Sequence, residues 1–367
     1  MTSVSKQAYS RVYVIAEAGV CHNGSLELAR RMVDAARRAG ADAVKFQSFR
    51  AVEMVCRTAP KAAYQLETTA QDETQFDMLR RLELDEASHA VLARHCRENG
   101  IEFLSTPFDL VSLGLLTERI GVQRIKLASS EITNAPLLLA AARTRRSVIL
   151  STGMSALAEV KTALGVLAFG YVRPVSVLPS VRSFEDTYWS SEGQAALLKN
   201  VTLLHCTSEY PARFEDVNLR AMQTLREAFG LPTGISDHTP GSTVPVAAVA
   251  LGAVVVEKHF TLDRELSGPD HNVALTPDEL TAMVRGVREV EAALGSPIKS
   301  AAEGELEVQK VARKSLVAAR PIVRGEVFSE QNLGVKRPGS GVSPLSYWET
   351  LGKVADRDYQ SDELIVL

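Results

Sequence analysis

Several features that would define a protein class by themselves are scarce in this chain. Only four of its 367 residues are cysteine and none forms a C-x-x-C pair, so neither a zinc site nor a disulfide framework is indicated. The formal net charge of −3 does not favour nucleic acid or an anionic membrane as the main partner. Residues 1–10 lack the apolar core of a signal peptide, and the longest apolar stretch, residues 244–256, is too short to span a bilayer. We expect a cytoplasmic protein with reduced thiols.

The sequence does contain a regular alternation of apolar runs and helix-like stretches. Eight runs rich in Val, Ile and Leu occupy residues 11–19, 42–49, 101–108, 124–131, 147–154, 201–210, 231–239 and 253–261. Such runs without strict polar alternation are typical of parallel strands that are covered on both faces. The pattern predicts an α/β fold, a (β/α)8 TIM barrel.

The rest of the chain predicts inserts and a second domain. We expect a barrel in residues 1–295, a linker in residues 296–310 and a small domain in residues 311–367. A long polar insert, residues 50–81, follows strand two and should cover the pocket. Residues 171–194 are predicted to form a second long loop with a structural role.

Polar side chains occupy the carboxyl ends of the runs, where barrel enzymes place their active sites. His238 and His259 end consecutive predicted strands, which lie about 4.8 Å apart in a sheet, so both imidazoles could reach one divalent metal ion. The alternative is that each satisfies a local hydrogen bond. The full set at these ends is Glu17, Lys45, Gln47, Thr106, Lys126, Ser129, Glu131, Ser151, Thr207, Tyr210, Ser236, His238 and His259.

Two lysines lie inside otherwise apolar runs, and lysine is rarely buried without a partner. Lys45 and Lys126 could bind a phosphate or carboxylate together with the hydroxyls of Thr106, Ser129, Ser151 and Ser236. One of them could instead be a Schiff-base lysine, as in an aldolase. A third interpretation is that they form structural ion pairs with Glu17 and Glu131.

The remaining candidates are three carboxylates and the aromatic side chain of a tyrosine. Glu17 and Glu131 could serve in acid–base chemistry, complete a metal site, or only pair with lysines. Asp270, in SGPDH after the eighth run, could bind sugar hydroxyls or form a simple turn. Tyr210 could line the pocket or only cap the barrel. Together these residues suggest metal-assisted chemistry on a phosphorylated small molecule.

At these residues the chain resembles the sialic acid (nonulosonic acid) synthase family. The matching segments run in order along nearly the whole chain: IAEAGVCHNGS, DAVKFQSF, EFLSTPFD, IKLASSEITN, VILSTGM, LLHCTSEYPARFEDVNL, GISDHTPG, VEKHFTLDRELSGPDHNVALTPDEL, ARKSLVAA and VKRPGSG. The resemblance implies a barrel followed by a small β-rich domain similar to type III antifreeze protein, the SAF domain.

The resemblance also implies an activity: condensation of phosphoenolpyruvate with N-acetylmannosamine to give a nine-carbon 2-keto acid and phosphate. A close variant would use 2,4-diacetamido-2,4,6-trideoxymannose and make legionaminic acid. Mn²⁺ or Mg²⁺ would bind His238 and His259, and phosphoenolpyruvate would bind the lysine and hydroxyl set. The sugar would lie near Gln47, Tyr210 and Asp270, with Glu17 and Glu131 as active-site glutamates.

A homodimer is implied as well, with the C-terminal domain over the partner subunit's active site. There Arg337, in KRPGSG, would contact the N-acyl group of the sugar. Ser130 departs from the family pattern, which has glycine at this position, so the local backbone there could differ. Two other functions stay open at this stage: a Schiff-base aldolase, and a non-enzymatic protein whose terminal domain binds a polysaccharide.

Overall fold

The computed structural model describes residues 11–62, 65–66, 69 and 72–367. Contacts between residues divide the chain into two units, Met1–Gly295 and Ser296–Leu367. Each unit has its own hydrophobic core.

The first unit contains a parallel sheet of eight strands: β1 Tyr13–Gly19, β2 Ala43–Ser48, β3 Glu102–Pro107, β4 Arg124–Leu127, β5 Ser147–Ser151, β6 Val201–Cys206, β7 Thr233–Asp237 and β8 Val255–His259. Hydrogen bonding connects them in the order β3-β2-β1-β8-β7-β6-β5-β4. The strands at the ends of this order, β3 and β4, lie in contact and nearly close a barrel. The predicted TIM-like fold is therefore confirmed.

Helices follow the strands along the chain. They are α1 Leu26–Ala39, α2 Ala51–Met54, α3 Gln75–Leu82, α4 Glu86–Asn99, α5 Leu110–Gly114, α6 Ala135–Arg143, α7 Leu157–Val172, α8 Val181–Trp189, α9 Ser191–Asn200, α10 Arg220–Phe229, α11 Thr243–Ala250 and α12 Pro277–Leu294. Local sequence sets their ends. In α1, Ser25 caps the first turn by accepting a hydrogen bond from Leu28 N, and Gly40 ends the helix at φ +83°, which glycine adopts without strain.

The alternation of side chains along each strand divides the barrel interior into layers. Ile15, Ala43, Leu104, Ile149, Leu204 and Val255 form an apolar layer inside the barrel. Inward-facing residues on a strand are two positions apart. The next layer toward the carboxyl ends therefore contains Glu17, Lys45, Thr106, Lys126, Ser151, Cys206 and Glu257. The fold therefore places a charged layer, which forms the floor of the cavity at the carboxyl ends of the strands, directly next to an apolar layer.

Two large apolar clusters join the outer faces of the strands to the helices. One packs α1, α4, α11 and α12 around β1, β2 and β8, and the other packs α6, α7 and α9 around β4, β5 and β6. These clusters hold the strands in register, so side chains at the strand ends take fixed positions.

The insert after β2 has a small core of its own, although its sequence is largely polar. Phe76, Met78, Leu79 and Leu82 of α3 pack against Val20 and Phe49, with Met54 and Phe108 at the margin. Residues of this segment also line the central cavity, as predicted for residues 50–81. Six positions of the segment, 63, 64, 67, 68, 70 and 71, lie outside the described residues.

The prediction of a loop across residues 171–194 is wrong. The segment contains helix α8 and the first turn of α9. Ser180 and Ser190 supply N-terminal caps, accepting hydrogen bonds from Ser183 N and Gly193 N. The ring of Phe184 then packs edge-on against Phe169 of α7, with centroids 5.3 Å apart. Capping and this contact stabilise helices that a polar composition does not indicate.

The second unit is small and rich in β-structure. It contains helix α13 Glu303–Ala312, the antiparallel strands β9 Ser315–Ala318 and β10 Leu333–Lys336, and helix α14 Tyr347–Thr350. Leu316, Ile322, Phe328, Leu333 and Tyr359 are among the residues of its core. Most of α13 falls in residues 296–310, and the assignment of that segment as a linker stays a prediction.

Across the part of the chain that the structure describes, no helix combines the length and the apolar character needed to cross a membrane.

The apolar layer provides a stability test. Leu204 is 0% exposed, and Leu204→Ala should lower the free energy of unfolding by about 2–5 kcal/mol because it leaves a cavity inside the barrel. Leu198→Ala is the matched control, since Leu198 is 45% exposed on α9 and should change stability by less than about 1 kcal/mol. Urea unfolding of the full chain measures both. Equal losses would contradict tight packing of this layer.

Candidate active site

A cavity of 510 Å³ opens at the carboxyl ends of the strands. Twelve of the predicted site residues line it: Glu17, Lys45, Gln47, Thr106, Lys126, Ser129, Ser151, Tyr210, Ser236, His238, His259 and Asp270. They come from all eight strands or the loops that follow them. The structure thus brings together residues that are up to 253 positions apart along the sequence.

Charges alternate in sign across the floor of the cavity. Lys45 Nζ lies 2.8 Å from Glu17 Oε2 and 3.8 Å from Glu257 Oε2, and Lys126 Nζ lies 3.3 Å from Glu257 Oε1. Each of these side chains is no more than 5% exposed. Such burial is tolerable only because every charge has an opposite partner.

This arrangement shifts the pKa values of the four groups in different directions. Burial raises the pKa of Glu17 to about 7, although Lys45 opposes the shift. Burial also lowers the pKa of Lys126. At Glu257 the effect of burial is outweighed by Lys126 and Lys45, which lower its pKa. Glu17 is therefore the carboxyl group in this layer that can exchange a proton near neutral pH.

Hydroxyl groups surround the charged layer, and one of them is without a partner. Ser236 Oγ donates to Glu257 Oε1 at 2.8 Å, and Lys45 Nζ donates to Thr106 Oγ1 at 3.1 Å. Ser129 Oγ accepts from Gly153 N at 2.9 Å. Ser151 Oγ is buried and has no hydrogen-bond partner among the described residues. A buried unpaired hydroxyl is unfavourable, so this group is available to a ligand.

His238 and His259 face each other across the cavity, with ring centroids 5.4 Å apart. His238 Nδ1 lies 2.7 Å from the carbonyl oxygen of Thr207, so this nitrogen carries the proton and donates it. Its Nε2 is left with the lone pair that a metal ion needs. The other imidazole has no hydrogen-bond partner for Nδ1 within the described chain, and Asp270 Oδ2 is 4.0 Å from that atom.

A polar corner adjoins the histidines at the mouth of the barrel. The backbone of Gly19, at φ +53°, lies against Asp270, His259 and Gln47. A Cβ atom at this position would be 3.3 Å from Asp270 Oδ2, 3.4 Å from His259 Cε1 and 3.5 Å from Gln47 Nε2. The ring of Tyr210 covers His238, with centroids 4.1 Å apart. Donors and acceptors of this kind suit several hydroxyl or amide groups on one ligand.

The opposite wall of the cavity is apolar. It consists of Val20, Met54, Met78, Leu79, Leu82 and Phe108. Four of these belong to helices α2 and α3 of the insert after β2, and Gln65 and Gln75 of the same insert also line the cavity, so the insert supplies both apolar and polar groups to the site. A ligand in this cavity would therefore meet charges at the floor, polar groups on one side and hydrocarbon on the other.

Three predicted residues are not among those that line the cavity: Thr207, Glu131 and Arg337. Glu131 is in a 3₁₀ turn after β4, outside the cavity lining, where its carboxylate accepts hydrogen bonds from Asn134 Nδ2 at 2.7 Å and Ser130 Oγ at 3.1 Å. Arg337 follows β10 in the second unit and is exposed. Their functional roles stay predictions. Ser130 is not among the residues with positive φ, so its backbone does not require the glycine that the family pattern has there.

The sequence analysis missed Glu257, which pairs with both lysines. The signal was present, because Glu257 precedes His259 by two residues in VEKHF and a strand turns such residues to the same face. Cys206 was also missed; it lines the cavity, with Sγ 3.8 Å from His238 Nδ1.

Comparison with known proteins identifies the family. The sequence profile of the NeuB family matches residues 32–299, and that of the SAF domain matches residues 313–367. The chain belongs to the NeuB family. The predicted resemblance to nonulosonic acid synthases is confirmed, and so is the prediction of an enzyme that is a synthase.

Relatives with assigned functions are similar along nearly their whole length. The chain is 47% identical to the N,N'-diacetyllegionaminic acid synthase of Campylobacter jejuni, covering 97% of this chain and 99% of that protein. It is 43% identical to the protein of the same name from Legionella pneumophila, covering 93% and 89%. The crystal structure of a sialic acid synthetase from Leptospira borgpetersenii matches with a TM-score of 0.64 and 33% identity, covering 81% of this chain and 90% of that one.

The unpaired hydroxyl generates a stability prediction. Ser151→Ala should leave the ligand-free protein as stable as the wild type or up to about 1 kcal/mol more stable, because the substitution removes a buried group without a partner. Ser236→Ala is the matched control and should destabilise by about 1–2 kcal/mol, since Glu257 loses a hydrogen bond. Urea unfolding without added anions would distinguish them. A larger loss from Ser151→Ala would show that its hydroxyl has a structural partner.

Proposed function

We propose that this enzyme condenses phosphoenolpyruvate with 2,4-diacetamido-2,4,6-trideoxymannose and forms N,N'-diacetyllegionaminic acid and inorganic phosphate. N-acetylmannosamine was the first substrate expected from sequence, and the legionaminic precursor was the second. The comparisons favour the second, because the relatives at 47% and 43% identity carry that name whereas the sialic acid synthetase is 33% identical. The buried charged floor beside an apolar wall is the structural observation that supports the proposal.

The floor suits phosphoenolpyruvate. Its phosphate and carboxylate need cations and donors in a site that excludes water, and Lys45 and Lys126 supply the cations. Ser151 Oγ adds a donor with no competing partner among the described residues. A substrate anion that approaches the lysines would replace part of their contact with Glu17 and Glu257.

The two histidines suit a divalent metal ion, Mn²⁺ or Mg²⁺. The described residues contain no group of three or more His, Cys, Asp or Glu side chains placed to hold a metal, so the protein would supply two ligands and leave positions open. The free lone pair of His238 and the unpartnered Nδ1 of His259 fit this. When bound, the ion would act as a Lewis acid on the sugar aldehyde.

The walls suit the trideoxy sugar. Gln47, Tyr210 and Asp270 offer hydrogen bonds and a ring surface near the histidines. This sugar carries a methyl group at C6 and a second acetyl group, both of which are less polar than the hydroxyls of N-acetylmannosamine. Met54 and Phe108 line the apolar side, where such groups can be removed from water.

The reaction follows from these positions. C3 of phosphoenolpyruvate attacks the aldehyde carbon with the electron pair of the C2–C3 double bond, and C2 becomes cationic. Glu17, with its pKa raised to about 7 by burial, stabilises that cation and accepts a proton from the water that adds to C2. The tetrahedral centre then breaks its C–O bond to phosphate and loses its hydroxyl proton, and the 2-keto acid forms as phosphate departs. The two protons of the added water end on the departing phosphate and on the alkoxide that the attack leaves at the former aldehyde oxygen. Lys45 and Lys126 hold the departing anion.

Arg337 and the second unit complete the proposal. As the family resemblance implies, the chain would form a homodimer in which Arg337 contacts the N-acyl group of the sugar in the partner subunit's site. Its exposure after β10 is compatible with a contact of this kind.

The deciding experiment is phosphate release from phosphoenolpyruvate with each sugar, with Mn²⁺ and with EDTA. We expect release with the trideoxy sugar, lost in EDTA, and a kcat/KM on the order of tenfold or more above that with N-acetylmannosamine. Preference for N-acetylmannosamine would make the enzyme a sialic acid synthase. Release unaffected by EDTA would contradict the metal site, and no release with either sugar would contradict the proposed reaction.

The apolar wall gives a prediction about selectivity. Met54→Gln should lower the ratio of kcat/KM for the trideoxy sugar to that for N-acetylmannosamine by several-fold, since a polar amide replaces hydrocarbon in the cavity. Val52→Gln is the matched control on the same helix; Val52 is 64% exposed and does not line this cavity. An unchanged ratio in Met54→Gln would show that the sugar does not contact this wall.

A further inference from the structure

A second buried ion pair lies just outside the cavity, behind the two histidines. Lys258 Nζ is 2.5 Å from Asp237 Oδ2, and both side chains are at most 2% exposed. These two residues are paired in the register of β7 and β8. Because side chains alternate along a strand, Lys258 points away from the barrel interior, while Glu257 and His259 point into it. The pair therefore takes no part in the charged floor.

The contacts of this pair enclose one histidine from both sides. Lys258 Nζ donates to Asp237 Oδ2 and also to the carbonyl oxygen of Thr239. Asp237 Oδ1 accepts from Thr239 N at 3.1 Å, and its carboxylate also accepts from Thr239 Oγ1. The residue between Asp237 and Thr239 is His238, so one ammonium group holds the residues before and after it.

The same lysine is joined directly to the other histidine. His259 follows Lys258 as the last residue of β8. The carbonyl oxygen of His259 accepts from Leu275 N at 2.9 Å, and that of His238 accepts from Ala212 N at 2.9 Å. The backbone of each histidine is therefore held by hydrogen bonds, and the ion pair is a direct side-chain link between the two segments.

Stability alone is a weak reason for such a pair. Two charges removed from water lose hydration that their mutual attraction often does not repay, so a pair of apolar residues would serve packing as well. A charged link is directional, however, because the ammonium group requires its acceptors at fixed positions. This favours a role in geometry over a role in packing.

We infer that Lys258 and Asp237 are positioning residues that set the separation of His238 and His259 for a divalent metal ion. The inference rests on the metal site of the proposed function. Neither residue touches the substrate or the ion. They act through the backbone, as partners behind metal ligands do elsewhere.

The test is Mn²⁺ binding to the full-length protein in the absence of substrates. Electron paramagnetic resonance measures the concentration of free Mn²⁺ and so gives the Kd. The main variant is Lys258→Met combined with Asp237→Asn, which removes the link and leaves no uncompensated buried charge. We expect the Kd for Mn²⁺ to rise by about tenfold or more. Binding of phosphoenolpyruvate without metal, measured by calorimetry, should change by less than about twofold, because the lysines of the floor are untouched.

The control removes a partly exposed ion pair at the other end of the barrel. Arg288 Nη2 lies 2.7 Å from Asp42 Oδ2, at the amino end of β2 and distant in the fold from the histidines. Arg288→Met combined with Asp42→Asn should lower the melting temperature and leave the Kd for Mn²⁺ unchanged.

The possible outcomes separate the inference from the proposed function. If the Lys258 and Asp237 variant loses only melting temperature and binds Mn²⁺ like the wild type, the pair is structural and the inference is wrong. If both double variants weaken Mn²⁺ binding equally, the effect is general destabilisation and the inference is again wrong. If the wild type itself does not bind Mn²⁺, the metal site of the proposed function fails, and the positioning role fails with it.

Discussion

The site depends on a single constraint, the mutual compensation of charges that the barrel buries in one layer. Glu17, Lys45, Glu257 and Lys126 are at most 5% exposed and lie next to the apolar layer of Ile15 and its neighbours. None could keep its charge there alone, because the loss of hydration would neutralise it or unfold the region. The alternation of side chains on parallel strands makes compensation possible, since it aims residues from separate strands at one level of the barrel.

That constraint leaves the charges of the layer compensated, and it also leaves polar atoms available to a ligand. The lysines are held charged by carboxylates rather than by a ligand, so the site can fold before any substrate arrives. Ser151 and His259 retain polar atoms without hydrogen bonds among the described residues. Buried polar atoms normally have hydrogen-bond partners, because a buried polar atom without one destabilises the fold. The position of the Ser151 and His259 atoms beside two cations supports the proposal that an anion and a metal ion bind here.

The sequence was sufficient for the barrel and for most of the site, because runs of Val, Ile and Leu identify parallel strands and polar residues mark where they end. It was less informative where tertiary contacts decide. Helix α8 is stabilised by the Ser180 cap and by the contact of Phe184 with Phe169 of α7. The local composition indicates neither of these interactions. Glu257 was hidden inside a run that was interpreted as a whole, although its spacing from His259 placed it in the cavity. Glu131 satisfied the same local pattern as Glu17, yet a 3₁₀ turn directs it to Asn134.

Substrate choice is the feature that residue types reveal least, since both candidate sugars present the same aldehyde and the same 2-acetamido group to the histidines. The difference between them lies at the far end of the sugar, at C4 and C6. In the proposed binding mode that end would lie near the insert, whose cavity-lining residues include Met54, Met78 and Leu82 as well as Gln65 and Gln75. In this proposal the strands would supply the reacting groups, whereas selectivity would depend on an insert that has its own small core. A change of acceptor would then require new side chains on the insert and no change in the charged floor.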